Sequence, residues 1–238
     1  HLEDPKTGLI SETAAASVRL DTEGRVAEVS GLGEGQAIED ALVPTVEGKV
    51  RSLEGGEEYL EAFADKKELI RLDHKMQAGE TEFSQKDINF IFEQERKIRN
   101  LDTYCEDPRV QELRLYLLEN CKQLKGLEVG GNLDLSYTKI AELPEGLKVG
   151  GDLYLDNTKI TELPKGLKVG GNLYLSHTEI TELPEGLEVG EDLDLVGTGI
   201  TELPDGLKAG GNLYLDNTKI TELPEGLKVG GSLYLSYT

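Results

Sequence analysis

The chain has no tryptophan, one methionine, two cysteines and three histidines, and aromatic residues make up only 5% of it. Cys105 and Cys121 are too few for a disulfide scaffold. A bridge between them and two free thiols both stay open. Besides His1, only His74 and His177 offer an imidazole. Neither belongs to a Ser/His/Asp set or to a metal-ligand spacing, so no catalytic, metal or cofactor site is expected. Gly31-Leu32-Gly33-Glu34-Gly35 fails the G-x-G-x-x-G spacing and has no βαβ context. No apolar run reaches the roughly 18 residues of a membrane span. Positive charge is also scarce, with 25 Lys and Arg against 46 Asp and Glu, a net charge of −21. That balance argues against a nucleic-acid partner and against anionic membrane surfaces. It favours basic partners.

Glycine, by contrast, is abundant at 28 residues, and much of it is periodic. Gly126–Glu145 reads GLEVGGNLDLSYTKIAELPE, and the unit returns at Gly146, Gly166, Gly186 and Gly206. A partial copy runs from Gly226 to Thr238. The period is 20 residues without insertion, the mark of a solenoid. Each unit carries aliphatic residues at six positions, in the first unit Leu127, Val129, Leu133, Leu135, Ile140 and Leu143. Asn132-Leu133-Asp134-Leu135-Ser136 alternates polar and apolar, which predicts a half-buried strand. Stacked units then place Leu133 and its copies in one interior column, Leu135 and its copies in the next, with the strands pairing in parallel. Pro144 and its copies exclude a central strand after Ile140. The Gly130-Gly131 pair and its copies are expected to corner through positive φ. One unit alone buries too little to offset its ordering entropy, so stability must be cooperative along the array.

Leu153–Pro164, L-x-L-x-x-T-x-I-T-x-L-P, resembles the leucine-rich repeat, and most closely its short bacterial type. The resemblance covers residues 126–238. It implies a right-handed solenoid with a parallel β-sheet on its concave side, used mainly to bind proteins. The chain departs from that pattern at the asparagine-ladder position, which here is Thr138, Thr158, Thr178, Thr198, Thr218 and Thr238. Their hydroxyls are expected to bond the backbone of a neighbouring coil.

Residues 1–125 predict a mostly helical domain that contains one β-hairpin and caps the array. Ser17–Leu20 and Arg25–Val29 alternate around Asp21-Thr22-Glu23-Gly24, a hairpin with a four-residue loop. Ile38, Leu42, Val46 and Val50 keep helical spacing, with Pro44 a kink or a start. Glu57–Met76 continues the helical pattern. Ser84 and Asp87 form an N-terminal cap, followed by the apolar face of Ile88, Phe90, Ile91, Phe92 and Ile98. Asp107-Pro108 opens a last helix, lined by Val110, Leu113, Leu117 and Leu118 and placed to cover the first coil. The stretch Phe83–Val110 is similar to helical regions that precede repeats in predicted proteins of candidate-phylum bacteria. The chain opens His1-Leu2-Glu3 without Met, which predicts a tag remnant or a trimmed start. Both a cytoplasmic and a processed, secreted location stay open. The array breaks off at Thr238 before its I-T-x-L-P half, which predicts that it continues.

The fold expected is therefore α+β, a leucine-rich-repeat solenoid behind a helical cap. Its outward strand column is Asp134, Tyr154, Tyr174, Asp194, Tyr214 and Tyr234. The adjacent column is Tyr137, Asn157, His177, Gly197, Asn217 and Tyr237. Tyrosine joins apolar area to a polar tip and suits binding hot spots. The same column could equally serve to stack across strands, and the two roles are compatible. The expected function is a non-enzymatic module that holds a protein or peptide, with the charge leaving room for a basic one. Two alternatives stand beside it. One is self-assembly through the open end of the array. The other is a Cys105-dependent effector enzyme, because Cys105-Glu106-Asp107 has the Cys-x-Asp form of bacterial ubiquitin ligases with short leucine-rich repeats.

Overall fold

A computed structural model describes residues 17–30, 43–92, 107–121 and 124–238. Ile38, Leu42, Ile98 and Cys105 lie outside the described residues. The chain divides into two compact units, residues 1–71 with 98–107, and residues 72–97 with 108–238.

In the first unit, β1 (Ser17–Leu20) and β2 (Val26–Ser30) form the expected antiparallel hairpin. Asp21 closes it, since its Oδ1 accepts from the amides of Glu23 at 2.8 Å and Arg25 at 2.9 Å. Helix α1 (Val43–Arg51) has Pro44 in its first turn, where a missing N–H leaves no bond unmade. Helix α2 (Gly56–Gln77) follows. Val26, Val29, Val50 and Leu60 form a small core, with Tyr59 and Phe63 packed on it. The Tyr59 hydroxyl accepts from the Val29 amide at 2.9 Å.

The second unit begins with the end of α2 and with α3 (Gln85–Phe92) and α4 (Pro108–Asn120). The cap at Ser84 is reciprocal. Ser84 Oγ accepts from the Asp87 amide at 3.2 Å, and Asp87 Oδ2 accepts from the Ser84 amide at 2.9 Å. Lys75 lies 4.7 Å from the centre of the Phe83 ring and donates to Glu82 O at 3.0 Å. Arg114 on α4 donates to Ile91 O at 3.2 Å and so ties the two helices together. Val110, Leu113 and Leu117 are fully buried, and Leu118 is half-buried.

The array is a β-solenoid of stacked coils, each with two strands of two residues. The first sheet is β3 (Glu128–Val129), β5 (Lys148–Val149), β7 (Lys168–Val169), β9 (Glu188–Val189), β11 (Lys208–Ala209) and β13 (Lys228–Val229). The second is β4 (Leu133–Asp134), β6 (Leu153–Tyr154), β8 (Leu173–Tyr174), β10 (Leu193–Asp194), β12 (Leu213–Tyr214) and β14 (Leu233–Tyr234). Both are parallel and in register, every residue opposite its copy 20 positions away. The sequence reading found the second sheet and missed the first, whose single inward Val or Ala gives no alternation to detect. Leu133, Leu135 and their copies through Leu215 are completely buried, and Ile140, Ile160, Ile180, Ile200 and Ile220 close the coil from the third side. In the sixth coil Leu233 is half-buried and Leu235 exposed.

Within each sheet the amides alternate between the coil behind and the coil ahead, as parallel pairing requires. In the first, Lys148 N donates back to Leu127 O at 2.9 Å; in the second, Leu133 N donates forward to Asp152 O at 2.9 Å. Between the strands the alternation breaks, since Gly150 N donates back to Val129 O, Gly151 N back to Gly131 O, and the next amide, Asp152 N, also faces back with no backbone carbonyl opposite. A side chain fills this place, as Asn132 Oδ1 accepts from Asp152 N at 2.8 Å, and Asn172 Oδ1 from Asp192 N at 2.9 Å. Asp152, Asp192 and Asn212 do the same for their neighbours. The between-coil ladder therefore sits at Asn132 and its copies. The threonines take a different part from the one expected. Thr158 Oγ1 donates within its own coil to Leu155 O at 2.7 Å, and Thr138, Thr178, Thr198 and Thr218 repeat the bond.

On the first strand of the second sheet the Asp134 carbonyl faces back, where no earlier coil stands. There α4 acts as a cap, because Gln111 Nε2 donates to Asp134 O at 2.8 Å. A helix thus satisfies an edge that would otherwise accept another strand.

The glycine pairs also work otherwise than expected. None of them has positive φ; that conformation belongs to the glycine that opens each unit, such as Gly146 at 71° and Gly166 at 76°. From the second coil on, the first of the two places is glycine because the coils stack too closely there for a side chain. A Cβ on Gly170 would lie 2.3 Å from Gly150 O, and one on Gly190 would lie 2.0 Å from Gly170 O.

Candidate functional site

The first outward column is assembled as the sequence suggested. Pairing sets Asp134 beside Tyr154, Tyr154 beside Tyr174, Tyr174 beside Asp194, Asp194 beside Tyr214, and Tyr214 beside Tyr234. Tyr154 and Tyr174 stack at 4.8 Å between ring centres with planes 8° apart. Tyr214 and Tyr234 stack at 4.7 Å and 5°. The centre spacing equals the strand spacing, so the rings ride on the ladder without shifting it. Such pairs contribute about 0.5–1.5 kcal/mol beyond their buried area. The column is thus a stabilising element as well as a candidate surface.

The second column lies one step off the strands. Tyr137, Asn157, His177, Asn217 and Tyr237 all have φ between 55° and 59°, and Gly197 has 69°. This is a left-handed turn, which Asn and Gly tolerate and bulkier residues resist. Tyr137 and Tyr237 are 81% and 89% exposed. The His177 ring occupies the space that a side chain at 197 would need, since a Cβ there would lie 2.5 Å from His177 Nδ1.

The outward residues of the second sheet carry charge of one sign. Asp134, Asp152, Asp156, Asp192, Asp194 and Asp216 stand among them, and no lysine or arginine does. Spacing along the ladder keeps this tolerable. Asn132, Asp152, Asn172, Asp192 and Asn212 alternate, so no two carboxylates meet in that row, and the Asn172 amide donates to Asp152 at 3.0 Å. Amide bonds, first among them Asn172 N, hold the Asp152 carboxyl below its ordinary range. The Tyr154 hydroxyl donates to Asp152 Oδ2 at 3.0 Å, and its pKa is pushed up to about 12, chiefly by that bond. Tyr174 is raised by burial and by the surrounding Asp152, Asp192, Asp194 and Asp156 carboxylates. The hydroxyls accordingly stay neutral, and the face presents a negative potential over aromatic rings.

Asp156 goes the other way. Burial raises its pKa, and Asp194 and Asp134 add to the rise against the bond from Ser176 N. Its folded pKa therefore lies above its unfolded one. The penalty is absent below the unfolded value near 3.8 and complete once pH has passed the folded value. We expect Asp156→Asn, which keeps the oxygen that Ser176 N uses at 2.9 Å, to raise the urea midpoint at pH 7. The gain should vanish below about pH 4. A variant less stable than the parent at pH 7 would contradict this.

The outer side of the first sheet differs in charge. Its row is Glu128, Lys148, Lys168, Glu188, Lys208 and Lys228, with Lys208 on Glu188 at 2.8 Å. An open depression of about 860 Å³ runs over the glycine rows from Val149 to Gly230. Sequence reading missed this groove, and the only signal for it was the unbroken column of glycines. In α4's unit, Cys121 is buried, its thiol donates to Thr81 O at 3.3 Å, and burial pushes its pKa up. Such a thiol is inert at neutral pH. Among the described residues no cluster of His, Cys, Asp and Glu could hold a metal ion, and no helix is long and apolar enough to cross a membrane.

No family model matches the chain, and no curated protein sequence matches it.

Proposed function

We propose that the chain is a binding module without chemistry of its own, and that the tyrosine and aspartate face of the second sheet holds a basic protein or peptide. A repeat solenoid is a scaffold whose extended faces bind or support other molecules. The observation that carries the finer reading is the charge of this one face. Six aspartates and four strand tyrosines line it without a single cation, while the lysines of the array stand on the first sheet and on the turns. Complementary charge steers a cationic partner to the surface and fixes its orientation. The neutral, stacked tyrosines then provide apolar contact at small entropic cost. We further propose that the solenoid is of the leucine-rich-repeat kind, on the strength of the Leu153–Pro164 pattern.

Selection from a random displayed-peptide library tests the reading. Peptides rich in lysine and arginine should be enriched, and salt should weaken them. Alanine at Tyr154, Tyr174 and Tyr214 together should lower the affinity of the best peptide by at least about tenfold. The variant should keep its circular dichroism, because the interior leucines are untouched. Enrichment of acidic or neutral peptides would refute the charge argument, and unaltered affinity in the triple variant would refute the site.

A further inference from the structure

We propose that Asp194 opens an arginine slot in the tyrosine column, in which a guanidinium lies between the rings of Tyr174 and Tyr214 and pairs with the Asp194 carboxylate. This rests on the binding face described above and specifies what that face selects.

The slot follows from register. Asp194 is paired with Tyr174 on one side and Tyr214 on the other, at the place where the column would otherwise hold a tyrosine. The rings on either side are fixed by their own stacked partners, Tyr154 and Tyr234, at 4.8 and 4.7 Å. Two such steps separate Tyr174 from Tyr214, so their ring centres are about 9.5 Å apart. A flat group inserted midway lies about 4.8 Å from each centre, inside the ~6 Å reach of a cation over an aromatic face. A third ring would fit the same gap, but the floor of the gap is a carboxylate. Asp194 Oδ1 accepts from Ser176 Oγ at 2.8 Å and from Val196 N at 2.9 Å. These two bonds fix the group in place and leave Oδ2 without a hydrogen bond among the described residues. Flatness, positive charge and a donor pointing at a carboxylate together describe guanidinium. The ammonium of lysine has the charge without the plane, and it is more strongly hydrated.

The neighbouring turn is unusual in the same coil. Gly197 replaces the larger residue found at this position in the other coils. The His177 ring takes the space that a side chain at 197 would fill, with Nδ1 2.5 Å from where its Cβ would stand. The remaining aspartates of the face supply the field that brings the cation in, and the slot decides which cation stays.

Two fluorescein-labelled octapeptides test this. Each carries three cations spaced by glycine, arginine in one and lysine in the other. Fluorescence anisotropy with the full chain should show the arginine peptide bound about fivefold to tenfold more tightly. Asp194→Tyr completes the column and fills the slot with a residue that neighbouring coils already hold there. It should abolish the preference and bring the arginine peptide down to the affinity of the lysine peptide. Asp216→Asn removes the same charge elsewhere on the face, and should weaken both peptides equally while keeping the preference. In proton NMR the arginine δ-methylene should move upfield on binding to the parent and not to Asp194→Tyr, because only a sandwiched side chain feels both ring currents. Equal binding of the two peptides by the parent, or an arginine preference that survives in Asp194→Tyr, would overturn the slot. If both peptides bind equally and the triple tyrosine variant loses both, the slot fails and the binding face stands. If neither peptide binds the parent, both readings fall.

Discussion

Replacing Gly190 by alanine will destabilise the array by about 3 kcal/mol or more, while the same change at Gly130 will be neutral or slightly stabilising. The two glycines occupy equivalent places in their units and neither has positive φ. They differ only in what stands behind them. A Cβ on Gly190 would lie 2.0 Å from Gly170 O and 2.7 Å from its carbon, whereas among the described residues a Cβ on Gly130 meets nothing within 4 Å. The carbonyl at 2.0 Å belongs to the backbone, so no rotamer change relieves the overlap. The coils must separate instead, and that stretches Gly190 N to Val169 O, now 2.9 Å, and Glu191 N to Gly171 O, now 3.1 Å. The array itself shows which glycine of the pair is indispensable. Glu191 stands at the second position in the fourth coil, while the first position is glycine in every coil. At the second position the nearest obstacle is a side-chain oxygen, Asn132 Oδ1 for Gly151, and a side chain can give way. Urea unfolding followed by circular dichroism decides the matter. Equal shifts for the two variants would mean that the glycines serve chain flexibility and not the approach of the coils.

Leu173→Ala should be the costliest change in the interior, at about 3–5 kcal/mol. Leu173 is completely buried between Leu153 and Leu193, which pair with it on either side. Its coil has a stacked neighbour on both sides, so the cavity cannot collapse without breaking register with one of them. Leu233→Ala removes the same atoms from a position that is only half-buried and pairs with a single strand, β12. It should cost less than half as much. The same urea experiment compares them. Equal losses would mean that burial in the stack is not what holds a coil, and that each unit is stable on its own account.

These two expectations stand at different distances from the sequence. The leucine column could be read directly, since Asn132–Ser136 alternates and the alternation returns every 20 residues. The hairpin around Asp21, the Ser84 cap and the Pro108 helix start were equally legible, because each depends on contacts within a few residues. The glycine pairs were noticed but given the wrong reason. Positive φ is a property of one residue, and a close approach between coils is a property of two residues 20 positions apart. The threonines were misassigned for the same cause. Nothing local shows whether a hydroxyl turns to its own coil's carbonyl or to the next one.

The candidate face divides in the same way. Its tyrosines and aspartates, and the absence of lysine and arginine among them, can be counted in the repeat. The sequence could not place Tyr137 and His177 in a left-handed turn, or show that Gln111 of α4 caps Asp134 O. Nor could it show that α3 and α4 form one compact unit with the coils.

From the sequence alone came the repeat length, the interior columns and the sign of the charge, because periodicity fixes which residues recur together whatever path the chain takes between them. Only the folded chain decided which way each amide points. Between the strands Gly150, Gly151 and Asp152 all turn their amides to the coil behind, and the third finds Asn132 Oδ1 in place of a carbonyl, while the Asp134 carbonyl is left for α4 to cover. Hydrogen-bond direction depends on how one coil lies against the next, and no single unit carries that information.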